Sequence, residues 1–443
     1  MTPRERRSVE VSNVLGNRRL YWFGIRGSDA NTLLGLPQFA GSFSVTAPIQ
    51  SPGLEVDIAL ESLTGQRVDL DTYDIDLDEI ELASISEIRR RMLATFAYPS
   101  AIATYRPSDF LSSVALASLE HCLYLGMFKD RQAAFEYKPW VELGIGEEGI
   151  PTIPWTYVPI EARASLGARI AEWPLVLRPN RTSGGVGIEM VANTAELLDK
   201  WFDDQSHVIG VSEFLTDAMP INVGGCVFPT GSVSLHPGSV QLIGIPEATN
   251  RRFGFCGNDF AAFATIDRET VKEIDRQTRV VGAWLHRHGY LGAFGVDFLL
   301  QDGIPIFTEV NARFQGSTAL GATLAASVSH SDILMDHLAA NLRLDRGTNL
   351  TLEDWLRELD PVAHLVVHNK EAVPVNSIRP THRRATRVEL VPPDTVRVDP
   401  GGVLGRLVFN EQITSSGYEL EVPLGAQLCL IEPGAEQLQH DSP

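Results

Sequence analysis

Cysteine is scarce in this 443-residue chain: Cys122, Cys226, Cys256 and Cys429 lie far apart, with no C-x-x-C and no histidine spacing that would build a zinc site. Reduced thiols and a cytoplasmic location are therefore expected. Positive charge is also short, with 37 Lys and Arg against 56 Asp and Glu, a net charge of −19, and no clustered basic stripe. Such a surface repels phosphate polymers and anionic bilayers over a Debye length, so nucleic acid and membrane are poor partners. No apolar run approaches the roughly 18–20 residues that span a bilayer. The start, Met1-Thr-Pro-Arg-Glu-Arg-Arg7, is charged and runs into Ser8-Val-Glu-Val-Ser12, which argues against a secretory leader. There is no G-x-x-x-x-G-K-[ST] loop and no G-x-S-x-G elbow.

What is present is an ordinary globular composition, 44% hydrophobic, at a length that suggests several domains of about 100–200 residues each. From residue 18 to about 125, short apolar runs (Leu20–Gly24, Val56–Leu60) alternate with helical stretches (Ile85–Phe96, Leu111–Leu125), the pattern of a small α/β domain. Gly24-Ile-Arg-Gly-Ser-Asp29 follows a strand and reads as a ligand loop or as a plain turn. Segments 139–160 and 391–401 are rich in proline and glycine and read as connections. Residues 174–204 read strand, glycine-rich turn, strand, helix, the last from Ala195 to Phe202 with Asn193 and Glu196 as a capping box. A longer helix runs from about Arg268 to His288, with Val271, Ile274, Val281 and Leu285 on one face and Gly289 as its stop. After about residue 355, short β-like runs (Ala363–Val367, Thr386–Leu390, Leu407–Phe409, Leu428–Ile431) predict a small β-rich C-terminal domain.

The most informative stretch is Leu291–Arg313, two β-like runs flanking Asp302-Gly303. It predicts a hairpin. A two-residue loop sets Asp297 opposite Thr308 and away from Glu309. A three-residue loop, Gln301-Asp302-Gly303, pairs Leu300 with Ile304 and Asp297 with Phe307, and places Asp297, Glu309 and Asn311 on one face. We expect the second. Three oxygen-bearing side chains converging between Phe298, Phe307 and Val310 are costly unless a cation neutralises them. Magnesium suits two carboxylates and an amide, completing its shell with water and phosphate. The alternative is a solvent-facing hairpin whose acids are merely surface.

Taken in order and spacing, Arg178 before Ser183-Gly-Gly-Val-Gly187, then Val211-Ser-Glu-Phe-Leu215, then the hairpin with Glu309-x-Asn311-x-Arg313, resemble the ATP-grasp superfamily over roughly residues 126–345. The resemblance implies an α+β class, the ATP-grasp fold of two α+β lobes clasping ATP. A small N-terminal α/β domain (1–125) would precede the nucleotide-binding and catalytic region (126–345), and a β-rich C-terminal domain (346–443) would follow it. It implies ATP and Mg²⁺ as cofactors, with Asp297, Glu309 and Asn311 as metal ligands. Arg131, in Asp130-Arg131 before a helical stretch, and Arg178 match the two basic positions at the α- and β-phosphates. Thr182 to Gly187, including Ser183, Gly184 and Gly185, match the mobile flap whose N–H groups close over the γ-phosphate. Glu213 and Leu215, with Phe214 between them, match the hinge that hydrogen-bonds adenine.

One position departs from the family pattern. Many members carry a ribose-binding carboxylate seven residues after the hinge glutamate, where this chain has Pro220; Asp217 or Asn222 would have to substitute. Arg313 is placed to stabilise an acyl phosphate and a tetrahedral oxyanion if the strand continues past Asn311, or to form a plain salt bridge. Gly316-Ser-Thr318 reads as a substrate or phosphate contact or as a helix cap. His236 and Gly257-Asn-Asp259 fall where the family places acceptor contacts. Arg379, His382, Arg383, Arg384 and Arg387 read as solvated surface or as a site for an acidic group. Gly144-Ile-Gly-Glu-Glu-Gly149 formally matches G-x-G-x-x-G but carries two acids and runs into Pro151, so it is set aside.

The layout is also similar to actinobacterial amino-acid and peptide ligases of secondary metabolism. That implies attack of a carboxylate on the γ-phosphate of ATP, then displacement of phosphate by an amine. The implied partners are small-molecule or peptide substrates, a modified amino acid (for example amidino) among the carboxylate donors, and a homodimer is one assembly to test. A carboxyphosphate-forming carboxylase is the competing class, although no biotin-attachment sequence is visible, and a non-catalytic nucleotide sensor is third.

Overall fold

The computed structural model describes residues 1–72, 83–107, 120–162, 166, 173–181, 184–200, 208–345, 347–421 and 429–431. The chain opens with helix α1 (Pro3–Leu15), started by a reciprocal capping box between Thr2 and Glu5. Five strands then form one parallel sheet: β1 (Arg19–Arg26), β2 (Phe39–Thr46), β3 (Val56–Ala59), β4 (Ser100–Thr104) and β5 (Cys122–Leu125), in the order β3-β2-β1-β4-β5. A helix over Ala83–Thr95 stands close to the expected Ile85–Phe96. The expected helix over Leu111–Leu125 does not hold at its end. Cys122-Leu-Tyr-Leu125 pairs in parallel with Ser100–Ala103, so tertiary pairing claims its backbone; residues 108–119 lie outside the described residues.

Helix α2 (Lys129–Phe135) is followed by α3 (Lys138–Glu147), inside the segment read as a connection. Pro139 sits in the first turn of α3, where no N–H is needed. A Cβ at Gly144 would lie 2.7 Å from the Trp284 indole nitrogen, so glycine here permits close helix packing. Val141 and Ile145 share a core with Trp284 and Phe307.

A four-stranded antiparallel sheet comes next: β6 (Thr156–Pro159), β7 (Leu175–Pro179), β8 (Glu189–Val191) and β9 (Val208–Glu213), in the order β6-β9-β7-β8. A short helix, Thr194–Asp199, begins where Asn193 accepts from the Glu196 N–H, as the capping pattern predicts; Phe202 lies outside the described residues.

The largest sheet has eight antiparallel strands: β10 (Met219–Val227), β11 (Val233–Ile243), β12 (Phe255–Asp259), β13 (Gly292–Gln301), β14 (Ile304–Asn311), β15 (Ala363–His368), β16 (Arg387–Glu389) and β17 (Val403–Phe409), in the order β14-β13-β10-β11-β12-β15-β17-β16. Of the strands past residue 355, Arg379–Thr381 and Cys429–Ile431 pair with each other in a small two-stranded sheet, whereas β15, β17 and β16 do not stand apart. They continue the sheet that carries the hairpin, through pairing of β15 with β12. Helix α4 (Arg268–Arg287) covers one face with Val271, Ile274, Val281 and Leu285, all buried. Alternation turns Val296 and Phe298 into that core and leaves Asp297 on the opposite face. Helix α5 (Ile333–Asn341) holds α1 through ion pairs Arg4–Asp332 and Arg7–Asp336, the second at 3.5 Å. Among the described residues no helix is long and apolar enough to cross a membrane.

Candidate active site

A cleft of about 350 Å³ opens over the face of the eight-stranded sheet opposite α4, reached by residues from the three largest sheets. Its centre is the β13–β14 hairpin, whose register differs from the expected one. Asp302 and Gly303 alone make the turn, with φ of 50° and 78°, so Gln301 pairs with Ile304 and Phe298 with Phe307. That register alone would put Asp297 opposite Thr308. The register instead shifts between Asp297 and Phe298, leaving Thr308 as the extra residue of a bulge, and Asp297 pairs with Glu309. The Thr308 hydroxyl donates to the Asp297 carbonyl at 2.9 Å. Asp297, Glu309 and Asn311 therefore do share a face, through a bulge rather than a three-residue loop.

The three groups touch. Asn311 Nδ2 donates to Asp297 Oδ2 at 3.1 Å and to Glu309 Oε1 at 3.4 Å. Asp297 is buried, and its Oδ1 accepts from Asn222 Nδ2 at 2.6 Å and Gln241 Nε2 at 3.1 Å. Asn222 also donates to Gln315 Oε1 at 2.5 Å and accepts from Ser317 at 2.6 Å. Burial, then the neighbouring charge of Glu309, push the Asp297 carboxyl far above the usual carboxylate range. Burial also disfavours the Glu309 charge, but the Lys138 ammonium outweighs it and holds Glu309 ionised. Among the described residues no three His, Cys, Asp or Glu side chains cluster as a metal cage. The set is two carboxylates and an amide, which suits a hard cation that takes the rest of its shell from phosphate and water. For Asn311 to present Oδ1 to such a cation, its amide must turn over.

Cationic groups surround this set. Lys138, the first residue of α3, contacts Glu309. Arg178 on β7 contacts Glu142, donates to the Tyr157 hydroxyl at 2.9 Å and stacks on Trp155 with its guanidinium carbon 3.7 Å from the ring centre. Burial pushes Arg178 down to about 9, so it stays charged at neutral pH. Arg313 does not lie on a continuing strand. Strand β14 ends at Asn311, the Arg313 N–H bonds back to the Asn311 carbonyl at 2.8 Å, and the guanidinium lies 3.7 Å from Glu136 while still lining the cleft.

Gly184 and Gly185 line the cleft in left-handed conformations, φ of 60° and 73°. A Cβ at Gly185 would lie 1.9 Å from the Phe253 carbonyl oxygen, so this segment lies directly on the loop after β11. Thr182 and Ser183 lie outside the described residues. Glu213 ends β9, and Glu213, Phe214 and Leu215 line the cleft together with the apolar wall of Ile153, Trp155, Val176 and Leu299.

Arg131 lies elsewhere. It sits exposed in the first turns of α2 and is not among the cleft-lining residues; the cation reaching the cleft from this region is Lys138, one helix later. Of the ribose stand-ins, Asp217 is an exposed left-handed turn residue and Asn222 is committed to Asp297. His236 is buried away from the cleft, 3.4 Å from Asp336 and facing Trp355. Asp259 caps the helix Phe260–Phe263 and accepts from Ile413 and Thr414, whereas Asn258 lines the cleft. Gly316 and Ser317 also line it. Arg384 and Arg387 pair with Glu411 and Glu389 outside it. From the Gly24–Asp29 stretch, Ile25 and Arg26 line the cleft, with Arg26 held by Asp29 at 3.0 Å. Lys138 lines the cleft, and Glu142 and Tyr157 contact Arg178, from a segment that carries no motif.

Residues 156–317 match the ATP-grasp domain family. The large chain of carbamoyl phosphate synthase from Neisseria meningitidis is 29% identical over 158 residues, covering 34% of this chain and 14% of that protein, so the chain spans about a seventh of the length of this curated relative. Among solved structures, the biotin carboxylase domain of Hydrogenobacter thermophilus 2-oxoglutarate carboxylase, in complex with MgADP and bicarbonate, superposes with a TM-score of 0.59 at 15% identity, covering 89% of this chain and 86% of that one. An L-amino acid ligase from Bacillus licheniformis superposes with a TM-score of 0.56 at 15% identity, covering 89% and 94%. The chain has the α+β ATP-grasp fold.

Proposed function

We propose that this protein is an ATP-dependent carboxylate–amine ligase that joins an amino acid, natural or modified, to the amine of an amino acid or peptide through an acyl phosphate. The observation that carries the reading is the convergence of Asp297, Glu309 and Asn311 on one sheet face, ringed by Lys138, Arg178 and Arg313, in a cleft closed on one side by Gly184 and Gly185. Phosphoryl transfer asks a protein for charge neutralisation and in-line positioning more than for a covalent catalyst, and these residues supply both. Asp297, Glu309 and Asn311 would hold magnesium. Bound magnesium would neutralise phosphate charge. Arg178 would grip phosphate oxygens in a fixed plane set by Trp155. The segment from Thr182 to Gly185 would cover the phosphates with backbone N–H groups. Glu213, Phe214 and Leu215 would border the base. Arg313 would stabilise the acyl phosphate and the oxyanion formed when the amine attacks. Cys122, Cys226 and Cys256 are free and buried, which suits a reducing compartment such as the cytoplasm.

The likeness to a biotin carboxylase domain supports a second reading, a carboxyphosphate-forming enzyme. Purified protein with MgATP, screened for phosphate release over a matrix of carboxylates and amines with product masses, decides between them. Amide products and ADP without added bicarbonate are expected. ADP formation that requires bicarbonate would favour the carboxylase, and nucleotide binding without turnover over the whole matrix would refute both.

A further inference from the structure

Helix α3 carries two opposite charges one turn apart, Lys138 and Glu142, an i,i+4 pair on the same helix side, of which Lys138 lines the cleft and Glu142 stands behind Arg178. They do not pair with each other. Lys138 contacts Glu309, one of the carboxylates on the shared sheet face, and Glu142 contacts Arg178, the strand-borne cation of the same cleft. All but Glu309 are deeply buried, with Lys138 7%, Glu142 8% and Arg178 4% exposed. The helix has little freedom to follow its side chains, because Val141 and Ile145 are locked in the core and Gly144 lies against Trp284. Its first residue is also tied to the root of the glycine segment, where the Lys138 N–H donates to the Asn180 carbonyl at 3.1 Å. Tyr157 completes the set, donating to Glu142 while accepting from Arg178 at 2.9 Å.

The pattern is a crosswise match. A positive group stands against the carboxylate that would bind a metal, and a negative group stands against the guanidinium that would bind phosphate. We propose that α3 is a charge placeholder: Lys138 and Glu142 keep Glu309 and Arg178 neutralised in the free protein, and both contacts open when metal and nucleotide phosphate bring the same charges. The inference rests on the nucleotide site proposed above. Without such partners, the carboxylates of the shared face and the buried guanidinium would stand uncompensated. With them, the binding-competent arrangement is only a fraction of the population, and apparent affinity falls by that fraction.

The test is direct binding, independent of turnover. Glu142→Gln keeps the shape and an acceptor for Tyr157 but removes the charge, and is expected to tighten MgADP binding by calorimetry by about fivefold. Lys138→Met is expected to tighten Mn²⁺ binding in the absence of nucleotide, with a larger thermal stabilisation by the metal than wild type shows. Glu273→Gln, at the exposed Arg276–Glu273 pair of α4, serves as the control and changes neither. Unchanged or weaker binding in either variant would overturn the proposal. Should the variants fail to fold, chemical modification of the Lys138 amine in the wild-type chain decides: MgADP is expected to raise it as the contact with Glu309 opens, and unchanged or lower modification overturns the proposal. Wild-type protein that binds no MgADP would sink the nucleotide site itself, whereas wild-type binding with no gain in the variants would sink only the placeholder.

Discussion

Asn222 holds no position in any motif of the β13–β14 hairpin, yet its amide contacts Asp297 directly. Its amide nitrogen sits 2.6 Å from Asp297 Oδ1 and 2.5 Å from Gln315 Oε1, and its oxygen accepts from Ser317. Against an ionised Asp297, which can only accept, the Asn222 amide must present its nitrogen, and that orientation fixes Gln315 in turn. Replacing Asn222 by leucine keeps the volume and removes both donors. One hydrogen bond to a buried carboxylate is worth about 1.5–3 kcal/mol. Gln241 at 3.1 Å remains as the second donor, so the loss is partial. Without Asn222 the Asp297 carboxyl moves further up, toward the protonated form that cannot bind a cation. Loss of such an orienting partner costs about 10–100-fold in metal affinity. Titration of Mn²⁺ or Mg²⁺ into Asn222→Leu, followed by calorimetry and by metal-dependent turnover, is expected to show half-saturation shifted by that factor, with the nucleotide KM at saturating metal little changed. A folded variant with wild-type metal affinity would refute the assignment of Asp297 as a ligand.

Asp297→Asn and Glu309→Gln are expected to abolish turnover while leaving cooperative thermal unfolding in place; full activity in either would remove the metal assignment. Gly185→Ala forces a Cβ to within 1.9 Å of the Phe253 carbonyl oxygen at a φ of 73°. Beyond about 1–2 kcal/mol of backbone strain, it should lift the glycine segment off this loop and raise the nucleotide KM about tenfold or more, and an unchanged KM would refute the flap role. His337 accepts from the Ala293 N–H and is 3.0 Å from the Leu125 carbonyl, and burial pushes it down to about 4 from 6.5. A depressed folded-state value means that the stability it confers is full above 6.5 and is lost as pH falls toward 4, up to about 3 kcal/mol. Urea melts across that window should show a shallower loss for His337→Gln than for wild type, and parallel slopes would contradict the assignment.

The parts of the site legible in the sequence were those with a local signature. Alternation placed Asp297, Glu309 and Asn311 on one face even though the proposed turn was one residue too long, because the bulge at Thr308 restored the phase that the two-residue turn removed. A single extra residue in a strand leaves no compositional mark. Arg178 and the glycines were legible from order along the chain. Lys138 was not, because Pro139 and the glycines at 144, 146 and 149 read as a connection, and only packing against Trp284 shows why a helix tolerates them. Arg131 illustrates the converse: a motif position gave a residue that the fold turns to solvent. The strands after residue 355 were legible as β from their apolar runs, but their partner β12 lies about a hundred residues upstream, and no local pattern records such pairing.

The joining of β15 to β12 bears on how this protein tolerates shortening. A chain ended near residue 345 would lose β15, β17 and β16 together, and β12 would become an outer strand with its unmatched N–H and C=O groups at Gly257, Asn258 and Asp259 facing water. Such a bare margin is a template for pairing with another chain. The C-terminal hundred residues therefore act as a shield against self-association, and a truncated protein retaining every residue of the cleft's hairpin is expected to precipitate rather than to work as a minimal catalyst.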